Sequence, residues 1–474
     1  MISLNPRNIK NLPAREQQQL ADLIAVFNYH EPGNQIKERY YEGHIPLQEV
    51  NLGIALPKQL YGLEIGCAWG AKTVDVLASR SMFDGFVNDN GIVIDQLNEI
   101  VNDNDLISEY TKSCRDELKI GCTFATLMRD SQLSGKCRIR FHSPKSAAAL
   151  WDGAKGRIEC GMAIIDSVKD ESAKATWQPS KINLYTESAI WVLSHTGNVW
   201  SAEKHAHNMG RPLMEPFIWD ATTLKPFGRS RIKEPIRRLI QGYVRTIANA
   251  TIGLEFSTSP QKYLLGVTDD QYDAVINDKF KQYVGNIVAA TYNPDTGEKP
   301  TFGQLQQGTI SPHVEMLRIL STQFSAATGL TVTDTGVIND ANPTSSDAIL
   351  AQSQTLVNLA EQLNRCNGEA LRTIALMALA IRNNTVIEKL DPDQKNVIAH
   401  FKNPAMPSVA VTADAAIKIA SARENFASTD VFLEMIGFDQ ADIRRIKAQE
   451  QRARGQQVLI EIDTEPEEEE SIEV

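Results

Sequence analysis

The chain has 474 residues, of which 42% are apolar and 23% charged, with a formal net charge of −11. That composition supports a sizeable packed core and excludes global disorder. The acidic balance excludes tight, non-specific duplex binding, which needs phosphate neutralisation by Lys and Arg.

Residues 13–30 read as a helix, because Leu20, Leu23, Ile24 and Phe27 recur at helical spacing. A loop carrying Pro32, Gly33, Gly43, Pro46 and Pro57 follows. KTVDVLASRSMFDGF (72–86) predicts a helix running into a turn at Asp84-Gly85. Residues 92–130 read as largely helical. From about 136 to 220 the texture changes to short runs rich in Ile, Val, Tyr, Phe and Trp, such as KCRIRFHS, RIECGMAIID, KINLYTES, AIWVLSH and MEPFIWD. Alternation such as Ile139 and Phe141 against Arg138 and Arg140 predicts half-buried antiparallel strands.

Helical texture resumes at 229. At 100° per residue, Ile236, Leu239, Ile240, Tyr243, Ile247 and Leu254 fall on one face, with Pro235 marking the start. Arg231, Arg238 and Arg245 are seven apart and drift only about 20° per step, which puts them on the opposite face. Such a stripe is either a solvated face or a contact with phosphates, carboxylates or a neighbouring subunit. Residues 256–308 are mixed: 269–284 read as a helix and NPDTGEKP (293–300) as a turn. A helix then starts at Ser311-Pro312, with Ser as N-cap, and stops at Gly329. The polar stretch 329–346 leads into the longest helical pattern, about 345 to 382. That helix would be about 57 Å long if unbroken, and Gly368 invites a bend. A short strand (397–401) and helices at 412–426 and about 439–454 close the ordered part. Residues 461–474 hold eight acids and no base, leaving −3 for the other 460 residues. This predicts a disordered acidic tail, solubilising or interacting, from about 457.

Chemistry-bearing motifs are scarce. GCAWGAKT (66–73) evokes a phosphate loop, but Ala71 precedes Lys72 and only three residues separate Gly66 from Gly70. FVNDNGIVIDQL (86–97) lacks ligating residues at both ends of a calcium loop. His205 and His207 have no third ligand suggested nearby, and the six cysteines match no zinc template. No catalytic signature is present, so we expect no catalytic residue, metal or cofactor, and a structural or assembly role. The N-terminal stretch has no apolar signal core, and no run approaches 18 apolar residues. A soluble, cytoplasmically made protein with free thiols and no membrane contact is the expectation.

The order of pieces resembles the portal proteins of tailed bacteriophages, of the long-tailed-phage portal family. The resemblance is carried by RYYEGHIPL (39–47), TVDVLASRSMFDGF (73–86), PFGRSRI (226–232) and the helix 237–266. It continues through FGQLQQGTISPHVEMLRILSTQFSAATGL (302–330), DTGVINDANPTSSDAI (334–349) and AHFKNPAMPSVAVTADAAIKIA (399–420).

The resemblance implies an α+β portal fold. Residues 1–228 would be an α/β wing, 229–255 the first stem helix, 256–310 a clip and 311–328 the second stem helix. Residues 329–345 would be a tunnel loop, 346–410 a long wing/crown helix with a returning wing strand, 411–456 the crown, and 457–474 the acidic tail. It further implies a non-enzymatic homo-oligomeric ring, usually a dodecamer, at one capsid vertex of the virion. Double-stranded DNA would be packaged and ejected through it. Implied partners are the terminase large subunit, the major capsid protein, a head-completion or adaptor protein, and a scaffolding protein. The channel residues would be Thr331, Val332, Thr333, Asp334, Thr335, Gly336, Val337, Ile338, Asn339 and Asp340. The chemistry of this loop agrees: it has no Lys or Arg, so it lacks strong phosphate contacts that would hold a sliding polyanion.

Two competing readings remain at this level. Another virion component, such as a capsid or connector subunit, would not need two helices flanking a loop-rich clip. A nucleotide-binding assembly factor would need a phosphate loop or paired acids.

Overall fold

The computed structural model describes residues 2, 4–45, 65–88, 91–169, 177–196, 199–258, 262–266, 297, 299, 301–304, 309–336, 346–405, 409–423, 425–438 and 440–463. The expected helix at 269–284, most of the expected 293–300 turn, and residues 337–345 and 464–474 lie outside the described residues.

The chain is α+β. Helix α1 (Ala14–Glu42) packs Leu20, Leu23, Ile24 and Phe27 against a five-stranded antiparallel meander. That sheet runs in the order β4 (Ala147–Asp152), β5 (Arg157–Lys169), β6 (Trp177–Tyr185), β7 (Ala189–Thr196), β8 (Val199–Ala206). The expected helical stripe of α1 is therefore its buried face. The helix does not stop at the expected Pro32 loop, however. It runs through Pro32 and ends at Gly43, whose φ of 77° lets its N–H reach the Arg39 carbonyl. Buried contacts on both sides of the proline, Phe27 in one core and Tyr40 in the other, outweigh one missing hydrogen bond.

The second core is larger. Helix α2 (Trp69–Ala78) leads to strand β1 (Phe83–Val87), so Asp84-Gly85 sits inside a strand, at a bulge, rather than in the expected turn. Helices α3 (Gly91–Asp103) and α4 (Leu106–Ile120) follow. The expected helix to 130 is cut short: Cys122–Arg129 is strand β2, central between β3 (Cys137–His142) and β9 (Met214–Ile218). Six of its eight residues are buried, so it has no period-two pattern to betray it. Gly121, with φ of 127°, makes the corner, and a side chain there would press on the backbone of Arg229 and Ser230.

The C-terminal half closes back on this core. Helices α5 (Glu234–Thr258) and α6 (Ser311–Thr328) are separated by a two-stranded pair, β10 (Lys262–Leu265) and β11 (Thr301–Gln304). Helix α7 (Ser346–Arg382) is continuous through Gly368, whose Cα faces the Phe401 ring. Its last turns, from Ile374 to Ile381, are buried on all sides. After the single turn α8 (Pro392–Lys395), strand β12 (Ile398–Phe401) pairs antiparallel with β1 and so ties the C-terminal part to the N-terminal one. Helices α9 (Val409–Ala422), α10 (Asp430–Ile436) and α11 (Gln440–Asp463) end the described chain. The helix of α11 continues to Asp463, beyond the point where the expected disordered tail begins.

One polar cluster is sealed inside the larger core. The Asn367 amide on α7 donates to Glu117 Oε2 at 2.8 Å and to the Tyr110 hydroxyl at 3.0 Å. Ser81 Oγ donates to Asn364 Oδ1 at 2.6 Å, so Tyr110 is the donor in its 2.7 Å bond to Ser81. Glu117 is fully buried, and burial raises its carboxyl to about 8 despite the Asn367 bond. The unfolded chain ionises this carboxyl near pH 4.5 while the folded chain keeps its proton until about pH 8. Stability should therefore fall as pH rises through that window. In Glu117→Gln this slope should flatten, as read from urea midpoints at pH 5 and pH 8. An unchanged slope would show that Glu117 does not carry it.

Candidate functional site: the helix pair and the loop that follows it

Helices α5 and α6 run antiparallel. Arg231, just before α5, lies beside Thr328 at the end of α6, and Gly242 faces Leu320. A Cβ at Gly242 would sit 3.2 Å from a Leu320 methyl, so glycine here permits close approach of the helices. Ile236, Ile240, Val244 and Ala248 fill the buried side of α5, as the helical spacing predicts. Leu239, Tyr243 and Ile247 are half-buried, whereas Leu254 is exposed.

Trp69 of α2 is wedged between the two helices. Its indole stacks on Phe324 at 4.5 Å between centroids and lies 4.4 Å from Tyr243. Its Nε1 donates to the Thr335 carbonyl at 3.3 Å, and the Ser321 and Thr335 hydroxyls bond to each other. The next residue, Gly70, explains the run that evokes a phosphate loop: a side chain there would collide with the Tyr40 carbonyl. This glycine serves helix contact, since α2 crosses α1 at that point.

The loop base is organised by short-range bonds. Gly329 takes φ of 74° to end α6, and its N–H reaches the Ser325 carbonyl at 2.9 Å. A Cβ at Gly329 would lie 3.2 Å from both Leu359 and Thr355 of α7. Leu330 is buried, and Ser325 Oγ donates to its carbonyl at 2.5 Å. The Thr331 N–H and hydroxyl both donate to Asp334 Oδ2, at 3.0 and 2.8 Å. Residues Thr333–Thr335 form one 3-10 turn, with Val332 before it half-buried and Gly336 after it at φ of 83°. So Asp334 spends one carboxylate oxygen on its own turn. Val337, Ile338, Asn339 and Asp340 lie outside the described residues.

The arginine stripe does not hold together. Helix α5 begins at Glu234, so Arg231 precedes it and does not share its face. Arg231 is 8% exposed. Its Nε donates to the Thr73 carbonyl and its Nη2 to the Thr328 carbonyl, both at 2.7 Å, and its guanidinium lies 5.7 Å from the Trp219 ring. Burial lowers its pKa to about 10, which leaves it charged at neutral pH. The expectation that it faces outward, opposite the core, is thus overturned. The 100° spacing applies only from Glu234 onward, and the backbone at Arg231 is not helical. Arg238 does face solvent, where it pairs with Glu234 at 3.2 Å, and Arg245 is half-exposed.

Residues the sequence reading passed over are Trp69, Thr73 and Ser321. No local signal marks them: the partners of Trp69 and Thr73 lie more than 150 residues away, and that of Ser321 lies beyond the end of its helix. His205 and His207 sit at the end of β8, where His207 Nδ1 accepts from the Met209 N–H at 3.4 Å. Among the described residues no group of three His, Cys, Asp or Glu converges as a metal site would require. None of the described helices is long and apolar enough to cross a membrane.

Comparison with known proteins decides the family. A family model described as phage portal protein, SPP1 Gp6-like, matches residues 9–456. The chain belongs to this portal family. No curated relative matches the portal chain at the sequence level. Solved structures similar to it include a chain of the virion of a native gene transfer agent particle, at 12% identity and a TM-score of 0.44, covering 75% of this chain and 86% of that one. Others come from the neck of the native particle computed with C12 symmetry (12% identity, TM-score 0.45, 78% and 89% covered) and the neck of the empty particle computed with C6 symmetry (10%, 0.44, 75% and 86%).

Arg231 and Arg238 should behave oppositely in this portal chain. Arg231→Gln removes two charge-assisted bonds to buried carbonyls and should cost about 2–4 kcal/mol of stability. Arg238→Gln removes one exposed i,i+4 pair and should change stability by less than about 0.5 kcal/mol. Chemical denaturation of the two variants checks this. Equal, small effects would contradict the buried clamp.

Proposed function

We propose that this portal chain forms a closed ring, of twelve subunits, at one capsid vertex. Double-stranded DNA is packaged and ejected through its central channel, and residues 329–345 line that channel. The ring is a platform for the terminase large subunit during packaging and for head-completion proteins afterwards. It meets the major capsid protein around its edge and a scaffolding protein during assembly in the host cytoplasm. It has no catalytic activity of its own.

Family membership supports this reading, and one observation in the structure carries it. Helix α6 is apolar on more than its buried side. Leu320, Phe324 and Thr328 are buried against α5 and its surroundings. Ile319 is 51% exposed on the far face and Met316 is 38% exposed on the flank, with Ala326 and Ala327 exposed beyond them. Met316 and Ile319, one turn apart and exposed on a face that also carries Gln323, are large apolar side chains without a packing partner in the single chain. In a cyclic assembly the same helix of the next subunit, or the α5 beside it, covers them. The loop that follows α6 is then brought toward the axis. Its anchored base, Leu330 to Thr335, stays fixed to the core, and the remainder is free of basic side chains that would retain phosphate.

Replacing Met316 and Ile319 by Glu together should leave the monomer folded, since both side chains point away from its core. It should shift the protein from rings to monomers in native mass spectrometry, because burying two carboxylates in an apolar contact costs several kcal/mol per interface. Rings that persist unchanged would exclude α6 as the contact. Asp340→Lys offers a channel test that spares the Thr331–Asp334 turn. Rings should form normally, and DNA packaging in a reconstituted system should slow.

A further inference from the structure

A groove of about 650 Å³ opens where α1, the end of α4 and the segment before α5 meet. Its floor is apolar and aromatic, made by Phe27, Phe124 and Phe227. Its rim is basic: Lys37, Lys225, Arg229, Lys233 and Arg237 line it, beside His30, which burial and Lys37 keep below its ordinary pKa and so uncharged at pH 7. Glu234 is the one carboxylate among the lining residues, and Arg238, outside the groove, already pairs with it at 3.2 Å. Lys233 is paired with Asp220 at 2.7 Å. Among the described residues, Lys225 and Arg229 have no carboxylate partner, and Arg237 Nε is buried without a hydrogen bond. Burial holds the Lys37 ammonium below its ordinary range, and Arg237 pushes the same way. The Cys122 thiol pulls Lys37 the other way only as a thiolate, and with its own pKa raised to about 12 it is neutral at pH 7. The groove therefore carries surplus positive charge over an apolar floor.

The occupant such a site fits is an acidic peptide with an apolar anchor. A duplex does not suit it: the recess admits only a few side chains, and a phosphate backbone would meet aromatic rings where it needs donors. The polypeptide itself holds a segment of the right chemistry. Residues 464–474, TEPEEEESIEV, carry six glutamates, no base, and two apolar residues, Ile472 and Val474. Spaced two apart, these two fall on one face of an extended chain, with Glu473 on the other. Helix α11 ends at Asp463, and the eleven residues beyond it reach about 36–40 Å when extended. We infer that the groove lined by Phe27, Phe124, Lys225, Phe227, Arg229 and Arg237 is the docking site of the acidic segment 464–474, with Ile472 and Val474 on the floor and the glutamates on the rim.

Photo-crosslinking in the full-length protein tests this. A benzophenone amino acid placed at Ile472 should crosslink to residues 27–37, 120–124, 144–149 or 225–237, as mapped by mass spectrometry. Reversing the exposed pair, Lys225→Glu with Arg229→Glu, should lower the yield at least about fivefold, as should raised salt. Converting Glu467–Glu470 to Lys in that reversed background should restore the yield, which separates charge pairing from damage to the fold. Crosslinks mapping elsewhere, or a yield indifferent to the reversal, would overturn the proposal. Loss of the crosslink on adding a short DNA duplex would overturn it too, by assigning the groove to nucleic acid.

Discussion

A single buried cation holds the two ends of the helix pair together. Arg231 is removed from water, so its charge must be answered inside the protein. The carbonyls of Thr73 and Thr328 do this, and the Trp219 face covers the remaining side. Thr328 contributes one of the last carbonyls of α6, a group left without a helical partner and at the negative end of the helix dipole. One guanidinium thus caps α6, grips α2 and fixes the entry to α5. The residues around it reinforce that position. Ser230 Oγ donates to the Lys119 carbonyl at 2.5 Å and the Arg231 N–H to the Leu118 carbonyl at 2.9 Å, which lashes the same segment to the end of α4.

The consequence for function is a loop with a rigid base. Trp69 fills the wedge between the helices, and its N–H holds the Thr335 carbonyl. A side chain at Gly329 would press on Leu359 and Thr355 of α7 and would be strained by its positive φ. The first turn after α6 therefore moves only if the core moves. In the proposed ring, residues 329–345 would therefore depart toward the channel from a fixed point. Ile319 and Met316 of α6 have the opposite character: they are exposed in the single chain, and in the proposed ring the adjacent subunit would cover them.

Much of this was legible in the sequence where the signal is local. The periodic Ile236, Ile240 and Leu239 announce α5, Gly329 announces the end of α6, and the runs from Lys136 to Asp220 announce the sheets. The failures share a physical cause. Strand β2 is buried on both faces and so lacks alternation, which made it read as more helix. Pro32 reads as a breaker because the packing that overrides it, Phe27 on one side and Tyr40 on the other, is tertiary. Arg231 falls on the helical angle of Arg238 and Arg245 by arithmetic, but Ile232 and Lys233, both non-helical, separate it from α5. Trp69 and Thr73 carry no local mark at all, since their partners Phe324, Thr335 and Arg231 are distant in the chain. The resemblance assigned residues 329–345 to a loop after α6, whereas the residues that hold Leu330–Thr335 became visible only with the fold.

We propose that this portal chain closes into a ring whose inner wall includes residues 329–345. A cryo-EM reconstruction of the purified assembly tests it most directly. The account predicts a closed ring with a central hole, Ile319 and Met316 against the adjacent subunit, and Leu330–Gly336 at the base of a loop pointing to the axis. An assembly that places residues 329–345 on its outer rim, or a protein that stays monomeric at every concentration, would contradict it.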